Sequence, residues 1–394
     1  MERITRGGEE DSSLLPSHNA AIWRAEFDAV LQDEQGNVGR RLRSLRREVQ
    51  LGTLRAVHMG GYLAWGGRDE PVSVILPADE MDAGILGIFV FHEGAQCADP
   101  GPLPPADGPF GRTIVSAKEQ DCLLAAHDMW REAPGSHVAV LNMASAYTPG
   151  GGWLHGSGAQ EENLHRRTTL CEHLHGSRYR RAGIQGPRPE VRYPLPEFGG
   201  VFSPSVIVLR GCEADGYPFL VHPWPVSVLT VAAYHGPRCT QRPDGRRALD
   251  PPFEYGTCRK IRAMLAAAKY NRVQNLVLCA FGCGAFRNPP EHMAEIFAQC
   301  LAEPAAKGYF EKVTFAIIDD HNSPGGGNLQ PFCAAVRDAY LRWWPPRVAP
   351  WSPVAVGKGK RGQGLYGKHA ASAEGQPSDD GIGEEGQRRR RRLE

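Results

Sequence analysis

Two glycine-rich stretches carry the side chains best placed for chemistry. Residues 138–170 read VAVLNMASAYTPGGGWLHGSGAQEENLHRRTTL. An apolar run ends at Asn142, Pro149 leads into Gly150, Gly151 and Gly152, and after seven residues Gln160, Glu161 and Glu162 open a helical pattern. Three adjacent glycines let a backbone lie flat against a ligand, with N–H groups open to oxyanions. Acids in a first helical turn are favoured by the helix dipole and stay ionised more readily. Taken alone, the two glutamates are therefore explained by capping. Residues 275–288 read NLVLCAFGCGAFRN. A strand pattern runs into Gly282, Cys283 and Gly284, continues through Ala285 and Phe286, and meets a helix signal with Asn288 as N-cap and Pro289 and Pro290 in the first turn. A strand end, a flexible turn and a helix N-terminus form a phosphate-binding arrangement. It is not a Walker loop, because no Gly-Lys-Ser/Thr follows, nor the dinucleotide fingerprint, because Arg287 stands where the third glycine belongs. Phe281 and Phe286 flank the turn, and each suits either stacking on a base or ribose or packing in a core.

The pair says more than either member. Both loops fall at the ends of expected strands in an open α/β sheet, where such folds bind ligands. One loop would hold a diphosphate while the other presents two acids. That combination points to a nucleotide-sugar substrate and acid-catalysed cleavage of a glycosidic bond.

The elements that must position these loops follow from periodicity. Residues 20–58 repeat apolar side chains at helical spacing (Trp23, Phe27, Val30, then Leu42, Leu45, Val49) around a break at 35–37. Arg40, Arg41, Arg43, Arg46 and Arg47 form the opposite face, which reads as a solvated helix surface or a contact for an anionic partner. Strands are expected at 72–76, 87–91, 137–141, 201–209, 226–233, 275–280 and 312–318, and helices at 117–132, 160–175, 258–269, 291–303 and 331–343. Repeated strand–helix–strand units imply an α/β fold, a largely parallel or mixed sheet flanked by helices on both faces. Residues 1–19 read as a flexible arm and 20–344 as the folded region with an N-terminal helical extension. Residues 345–394, rich in Pro, Gly, Ser and charge, read as a disordered tail ending in Arg388, Arg389, Arg390, Arg391 and Arg392.

Composition narrows the classes. Of the 394 residues, 41% are hydrophobic, enough for a sizeable core. Lys plus Arg number 45 against 44 Asp plus Glu, a formal charge of +1, which excludes a protein coated overall for nucleic acid. The most apolar runs, 84–91 and 226–233, are far below the roughly 20 residues that cross a bilayer, so no membrane association is expected. The 10 cysteines contain no CxxC pair and, with no secretory leader evident, read as free thiols. An intracellular protein is expected, cytoplasmic in a bacterium and nuclear or cytoplasmic in a eukaryote, acting as a monomer.

The glycine–acid signature resembles that of the microbial-type poly(ADP-ribose) glycohydrolases, whose catalytic domain is a macrodomain: three glycines, a short spacer, then Gln-Glu-Glu. The flanks LNMASA (141–146) and RRTTL (166–170) are also similar, as are GCGAF with Asn288, SPSVIVLR (203–210) and FAIIDD (315–320). The likeness runs over roughly residues 40–332. The turn Ala232, Ala233, Tyr234, His235 and the Arg/Pro-rich stretch 176–200 depart from it.

The resemblance implies hydrolysis of ribose–ribose O-glycosidic bonds in poly(ADP-ribose), mainly from chain ends, releasing ADP-ribose. Glu162 would be the general acid and Glu161 would hydrogen-bond a neighbouring ribose hydroxyl. Successive helical residues point about 100° apart, so the two are not expected to face each other as an acid–base pair, and one acid would carry both proton transfers. Gly282, Cys283, Gly284, Ala285 and Phe286 would hold the diphosphate, Asn142 and Phe286 would meet the terminal ribose, and Gly150, Gly151 and Gly152 would line the substrate. Gln160 either touches substrate or fixes the loop, and Arg166 and Arg167 either meet phosphate or, by default, lie on a solvated helix surface. No cofactor is implied. No metal is either, since Cys171, Glu172, His173 and His175 lack a second pair at zinc spacing. Asp319, Asp320 and His321 form a polar cluster with a loop or ligand role. The partner is poly(ADP-ribose) or an ADP-ribosylated protein, with a weak nucleic-acid contact through the terminal arginines. Removal of single ADP-ribose units and non-catalytic ADP-ribose reading are the alternatives. Intact Gln160, Glu161 and Glu162 argue against a pure reader.

Overall fold

Alternating runs of β-branched residues and amphipathic helices assemble around one mixed sheet. The computed structural model describes residues 15–33, 36–66, 70–77, 87–90, 108–174, 191, 193–320 and 322–341. Its contacts divide the chain into one unit over Met1–Trp344 and another over Pro345–Glu394. The expected disordered tail and all but the last five residues of the expected arm lie outside the described residues.

The helices are α1 (Ala20–Leu31), α2 (Val38–Met59), α3 (Cys122–Glu132), α4 (Gln160–Arg167), α5 (Leu170–Leu174), α6 (Pro251–Tyr270), α7 (Pro290–Ala302) and α8 (Leu329–Leu341). The strands are β1 (Gly61–Ala64), β2 (Val72–Ile75), β3 (Gly87–Val90), β4 (Ile114–Lys118), β5 (Val138–Met143), β6 (Gly199–Arg210), β7 (Phe219–Val231), β8 (Cys239–Gln241), β9 (Arg247–Leu249), β10 (Asn275–Leu278) and β11 (Lys312–Ala316). Seven of them form the sheet in the order β3-β6-β7-β5-β10-β11-β4. Pairing is antiparallel from β3 to β7 and parallel from β7 onward. The five strands β7, β5, β10, β11 and β4 thus deliver their carboxyl ends to one edge.

Both sheet faces are covered, which is why β5, β7 and β10 read as continuous apolar runs rather than alternating ones. On one face Leu141, Leu229, Leu276 and Leu278 pack with Ile261 and Met264 of α6, Ile296 and Phe297 of α7 and Phe332 of α8. On the other, Val140, Val228 and Val277 pack with Leu123, Ala126 and Met129 of α3 and Leu164 of α4. The N-terminal helices make their own small core, in which Trp23, Phe27 and Val30 of α1 meet Leu45 and Val49 of α2 and Tyr217. Asn19 and Asn37 cap them, each side chain accepting from an N–H of the first turn. No helix among the described residues is long and apolar enough to cross a membrane.

Several elements differ from the sequence expectation. A fifth parallel strand, β4, occupies the start of the expected helix at 117–132. It is the sheet's outermost strand, half-exposed in most of its residues, and lacks the apolar run of its buried neighbours. The helix expected over 160–175 breaks at Thr168, which bridges to Val208, and at Thr169, whose N–H donates to Ile207 O (3.0 Å). Pro289 rather than Asn288 precedes the first residue of α7. Arg166 and Arg167 are not solvated. They are 0% and 1% exposed, with Arg166 Nη1 on Ser157 O (2.6 Å), Arg166 Nε on Tyr217 Oη (3.1 Å) and Arg167 Nη1 on Asp121 Oδ2 (2.7 Å).

Burial also fixes protonation. His165 and His173 are pushed down to about 4 by desolvation, from an ordinary 6.5. A histidine held neutral this way stabilises the fold above pH 6.5, and that contribution is lost as pH falls toward 4, where the unfolded chain takes up the proton first. Neither ring nitrogen of His173 has a hydrogen-bond partner among the described residues. His173→Phe should therefore gain thermal stability relative to wild type as pH is lowered from 6.5 to 4. Paired melting curves across that window test this, and a difference independent of pH would refute it.

Candidate functional site

Parallel pairing of β7, β5, β10 and β11 brings the loops after them to one side of the sheet, and Gln160 fastens the first of these loops. Its Oε1 accepts from Met143 N (2.9 Å) and its Nε2 donates to Leu141 O (2.7 Å), which locks the start of α4 onto the end of β5. The same Nε2 lies 3.5 Å from Cys122 Sγ and 3.8 Å from Cys279 Sγ, at the root of the second glycine loop. Of the two roles open to Gln160, loop fixation is the one these bonds describe.

Glu161 and Glu162 converge instead of diverging. Both reach back over the first turn of α4 to Gly151, where an added Cβ would lie 2.7 Å from Glu162 Oε1 and 2.9 Å from Glu161 Oε2. The 100° between successive helical positions separates their stems, not their carboxyl groups. Glu161 accepts from Ser145 N at Oε2 (2.7 Å) and from Gly150 N at Oε1 (3.1 Å). Glu162 Oε1 accepts from Gly152 N (2.8 Å), while its Oε2 has no hydrogen-bond partner among the described residues. Burial raises Glu161 well above the usual carboxylate range. The neighbouring charge of Glu162 adds to the rise, and the Ser145 and Gly150 N–H groups oppose it.

The three glycines follow from this packing. Gly150 (φ +73°) and Gly151 (φ +55°) are left-handed, and a Cβ on Gly150 would sit 2.5 Å from Trp153 Cδ1. Their amides are not open to a ligand oxyanion as the sequence reading had it. Gly150 and Gly152 donate to the two glutamates and Gly151 to Thr148 O. Beneath the loop, fully buried Trp153 lies 5.2 Å from His165, whose Nδ1–H donates to Glu161 O (2.8 Å). Asn142 is fully buried at the end of β5. Its Nδ2 donates to Thr230 Oγ1 (3.3 Å), and its Oδ1 has no hydrogen-bond partner among the described residues.

The second loop has the opposite polarity. Gly282 (φ +73°) passes so close to Ala233 and Asn288 that a Cβ would lie 2.6 Å from each. Asn288 Nδ2 straps the turn by donating to Tyr234 O (2.8 Å) and Gly282 O (3.0 Å). That cross-loop tie is the role the structure gives it in place of capping. The N–H groups of Gly284, Ala285 and Phe286 donate to no group among the described residues. Three consecutive amides with no acceptor among the described residues stand ahead of α7, an arrangement of the kind that can receive an anion. Cys283 turns its thiol into the core, so only its main chain faces this side. Phe286 is half-buried, edge-on to His235 at 4.9 Å, and Gly236 N donates to Phe286 O (2.9 Å).

Sequence reasoning missed Ser145, Trp153, Tyr234 and His235. The serine and tyrosine act through backbone atoms, which no side-chain pattern announces. Asp319, one of the polar cluster, accepts from Asn328 N (2.6 Å) and Leu329 N (3.4 Å) at the start of α8, and Asp320 accepts from Asn322 N (2.8 Å), so both brace a loop. His321 and His175 lie outside the described residues.

Comparisons with known proteins point to one family. The family model described as microbial-type PARG, catalytic domain, matches residues 100–211. Poly(ADP-ribose) glycohydrolase from Thermomonospora curvata, solved with the inhibitor ADP-HPD, is 30% identical, with 73% of this chain and 98% of that chain covered at a TM-score of 0.52. Another structure of the T. curvata enzyme gives 29%, 74%, 98% and 0.53. Poly(ADP-ribose) glycohydrolase from Deinococcus radiodurans, in complex with ADP-ribose, is 28% identical over 67% of this chain and 99% of that chain at a TM-score of 0.50. A search of curated proteins found no match.

The glycine geometry makes a direct test. Gly151→Ala should cost about 1–2 kcal/mol from the left-handed backbone alone, and the new methyl group must also displace a carboxylate. Gly284→Ala, whose Cβ would meet only Asn322 Cβ at 3.7 Å, should leave stability within error of wild type. Urea unfolding of both variants checks this, and equal losses would contradict the geometry.

Proposed function

The chain belongs to the microbial-type poly(ADP-ribose) glycohydrolases and hydrolyses poly(ADP-ribose), and from that premise we propose that Glu162 is its general acid and base while the Gly282 loop holds the substrate diphosphate. The observation that supports this division is the asymmetry of the two acids. Both oxygens of Glu161 are engaged by backbone N–H groups, whereas Glu162 keeps Oε2 uncommitted among the described residues. A group that must give a proton and later take one back needs a free oxygen. Glu161 has none to spare.

In this reading the diphosphate sits on the amides of Gly284, Ala285 and Phe286, close to the start of α7. The ribose it carries extends toward β5, where Asn142 Oδ1 would accept from a hydroxyl group and Phe286 would cover the sugar ring. Glu162 protonates the ribose oxygen that leaves as the C1″–O bond breaks. The positive charge that develops on the sugar ring is stabilised by the nearby diphosphate. Water then adds to C1″ and returns a proton to Glu162, which restores the acid and releases ADP-ribose. Glu161 holds the glycine loop in register through its bonds from Ser145 N and Gly150 N. Burial raises its affinity for a proton, and the neighbouring charge of Glu162 adds to that rise.

Glu162→Gln should lower release of ADP-ribose from labelled polymer by about 10²–10⁴-fold, the usual value of a general acid. ADP-ribose affinity, measured by calorimetry, should stay within a few-fold of wild type. Glu161→Gln should lose turnover and thermal stability together, since an amide cannot accept from both Ser145 and Gly150. Wild-type turnover in Glu162→Gln would remove it from the acid role.

A further inference from the structure

The arginine stripe of α2 lies beside the loop that carries Gly151. We propose that Arg40, Arg43 and Arg47 bind the diphosphates of polymer units beyond the bond being cut, so that α2 acts as a rail for the chain. The proposal rests on the glycohydrolase reading above and adds a contact that reading does not include.

Three observations carry it. First, α2 is adjacent to the catalytic loop. A Cβ on Gly156 would lie 2.1 Å from Arg43 O, and one on Gly158 would lie 2.7 Å from Arg46 Nη1, so the segment between the glycines and Gln160 rests on this helix. Second, the charge on α2 is segregated. The helix carries six arginines and one acid, Glu48, in a chain whose total is only +1. Third, the arginines divide by partner. Arg46 binds Glu213 through Nε and Nη2 (2.8 and 2.9 Å), and Arg41 pairs with Asp33. Arg40, Arg43, Arg47 and Arg55 are exposed and make no ion pair among the described residues, and the first three lie toward the end of α2 that carries Arg43 and Arg46. Positions 40, 43 and 47 fall on one helix face and span about 10 Å of axis at 1.5 Å per residue.

A solvated helix face needs no such selection of free cations next to a catalytic loop. Poly(ADP-ribose) carries a diphosphate in every unit, and guanidinium groups bind phosphate oxygens in fork geometry. The chain leaving the cleavage site would cross the rim of this loop, where the backbone of Arg43 lies against Gly156. Each contact would displace counterions, so its effect must weaken with salt.

The test uses the full chain with Arg40→Gln, Arg43→Gln and Arg47→Gln combined. Two substrates are compared at low and raised ionic strength: long labelled polymer, and the dimer of ADP-ribose with its single ribose–ribose bond. KM for long polymer should rise about tenfold with kcat unchanged, and the salt dependence of kcat/KM should flatten, by about 0.7 in logarithmic slope per lost contact. Values for the dimer and the melting temperature should stay at wild type. An unchanged polymer KM, or an equal loss on the dimer, would overturn the proposal. So would inhibition by single-stranded DNA of matched charge at the strength of the polymer itself, abolished in the triple variant, because the stripe would then serve nucleic acid. Glu162→Gln loses turnover on both substrates, so a loss confined to long polymer speaks to the stripe alone.

Discussion

Two adjacent carboxyl groups buried side by side are the constraint around which the rest of the site is built. Two such charges repel and are poorly solvated, so the protein must supply donors to them or leave a proton on one. It does both. The triple-glycine loop folds back so that Gly150 and Gly152 donate to Glu161 and Glu162, Ser145 adds a third N–H, and burial raises the proton affinity of Glu161. The absence of side chains on the loop is a consequence, since any Cβ at Gly151 would occupy the space of the two carboxyl groups.

Holding that arrangement takes more structure than the loop itself. Gln160 ties the helix to the strand, His165 and Trp153 fill the space below, and the buried arginines anchor the far end of α4. Arg166 reaches Tyr217, whose hydroxyl donates to Glu213, which in turn pairs with Arg46 of α2. The N-terminal helices are thereby linked to α4 through a chain of partly and fully buried polar groups. These bonds hold the far end of α4 and with it the direction in which the two acids are presented, while Arg166 Nη2 is buried with no hydrogen-bond partner among the described residues.

The sequence made the two loops legible because glycine and acid spacing record backbone demands directly. The sheet was legible for the same reason, since β5, β7 and β10 are buried on both faces and show it as unbroken apolar runs. Strand β4 was not, because the outermost strand of a sheet carries too few apolar residues to stand apart from a helix start. Arg166 and Arg167 misled in the other direction. Charged side chains on a short amphipathic helix read as solvated, and only the tertiary positions of Asp121, Ser157 and Tyr217 reveal that each is buried with a partner. The convergence of Glu161 and Glu162 was hidden as well, because side-chain reach past a helix terminus is not contained in helical spacing.

The choice of amides over cations at the second loop has a physical reason within the proposed mechanism. A lysine or arginine placed to hold the diphosphate beside Glu162 would favour the ionised acid and remove the proton the reaction needs. Amide dipoles at Gly284, Ala285 and Phe286 bind an anion with partial charges only, so the attraction falls off faster with distance and perturbs the acid less. Full positive charge can then be useful only at a distance from the scissile bond. The exposed arginines of α2 meet that condition: they stand outside the glycine loop, separated from the carboxyl pair by the segment from Trp153 to Ala159. A chain with almost no net charge can in this way handle a polyanion, by keeping its acids buried, its amides at the reacting unit and its cations on the rim.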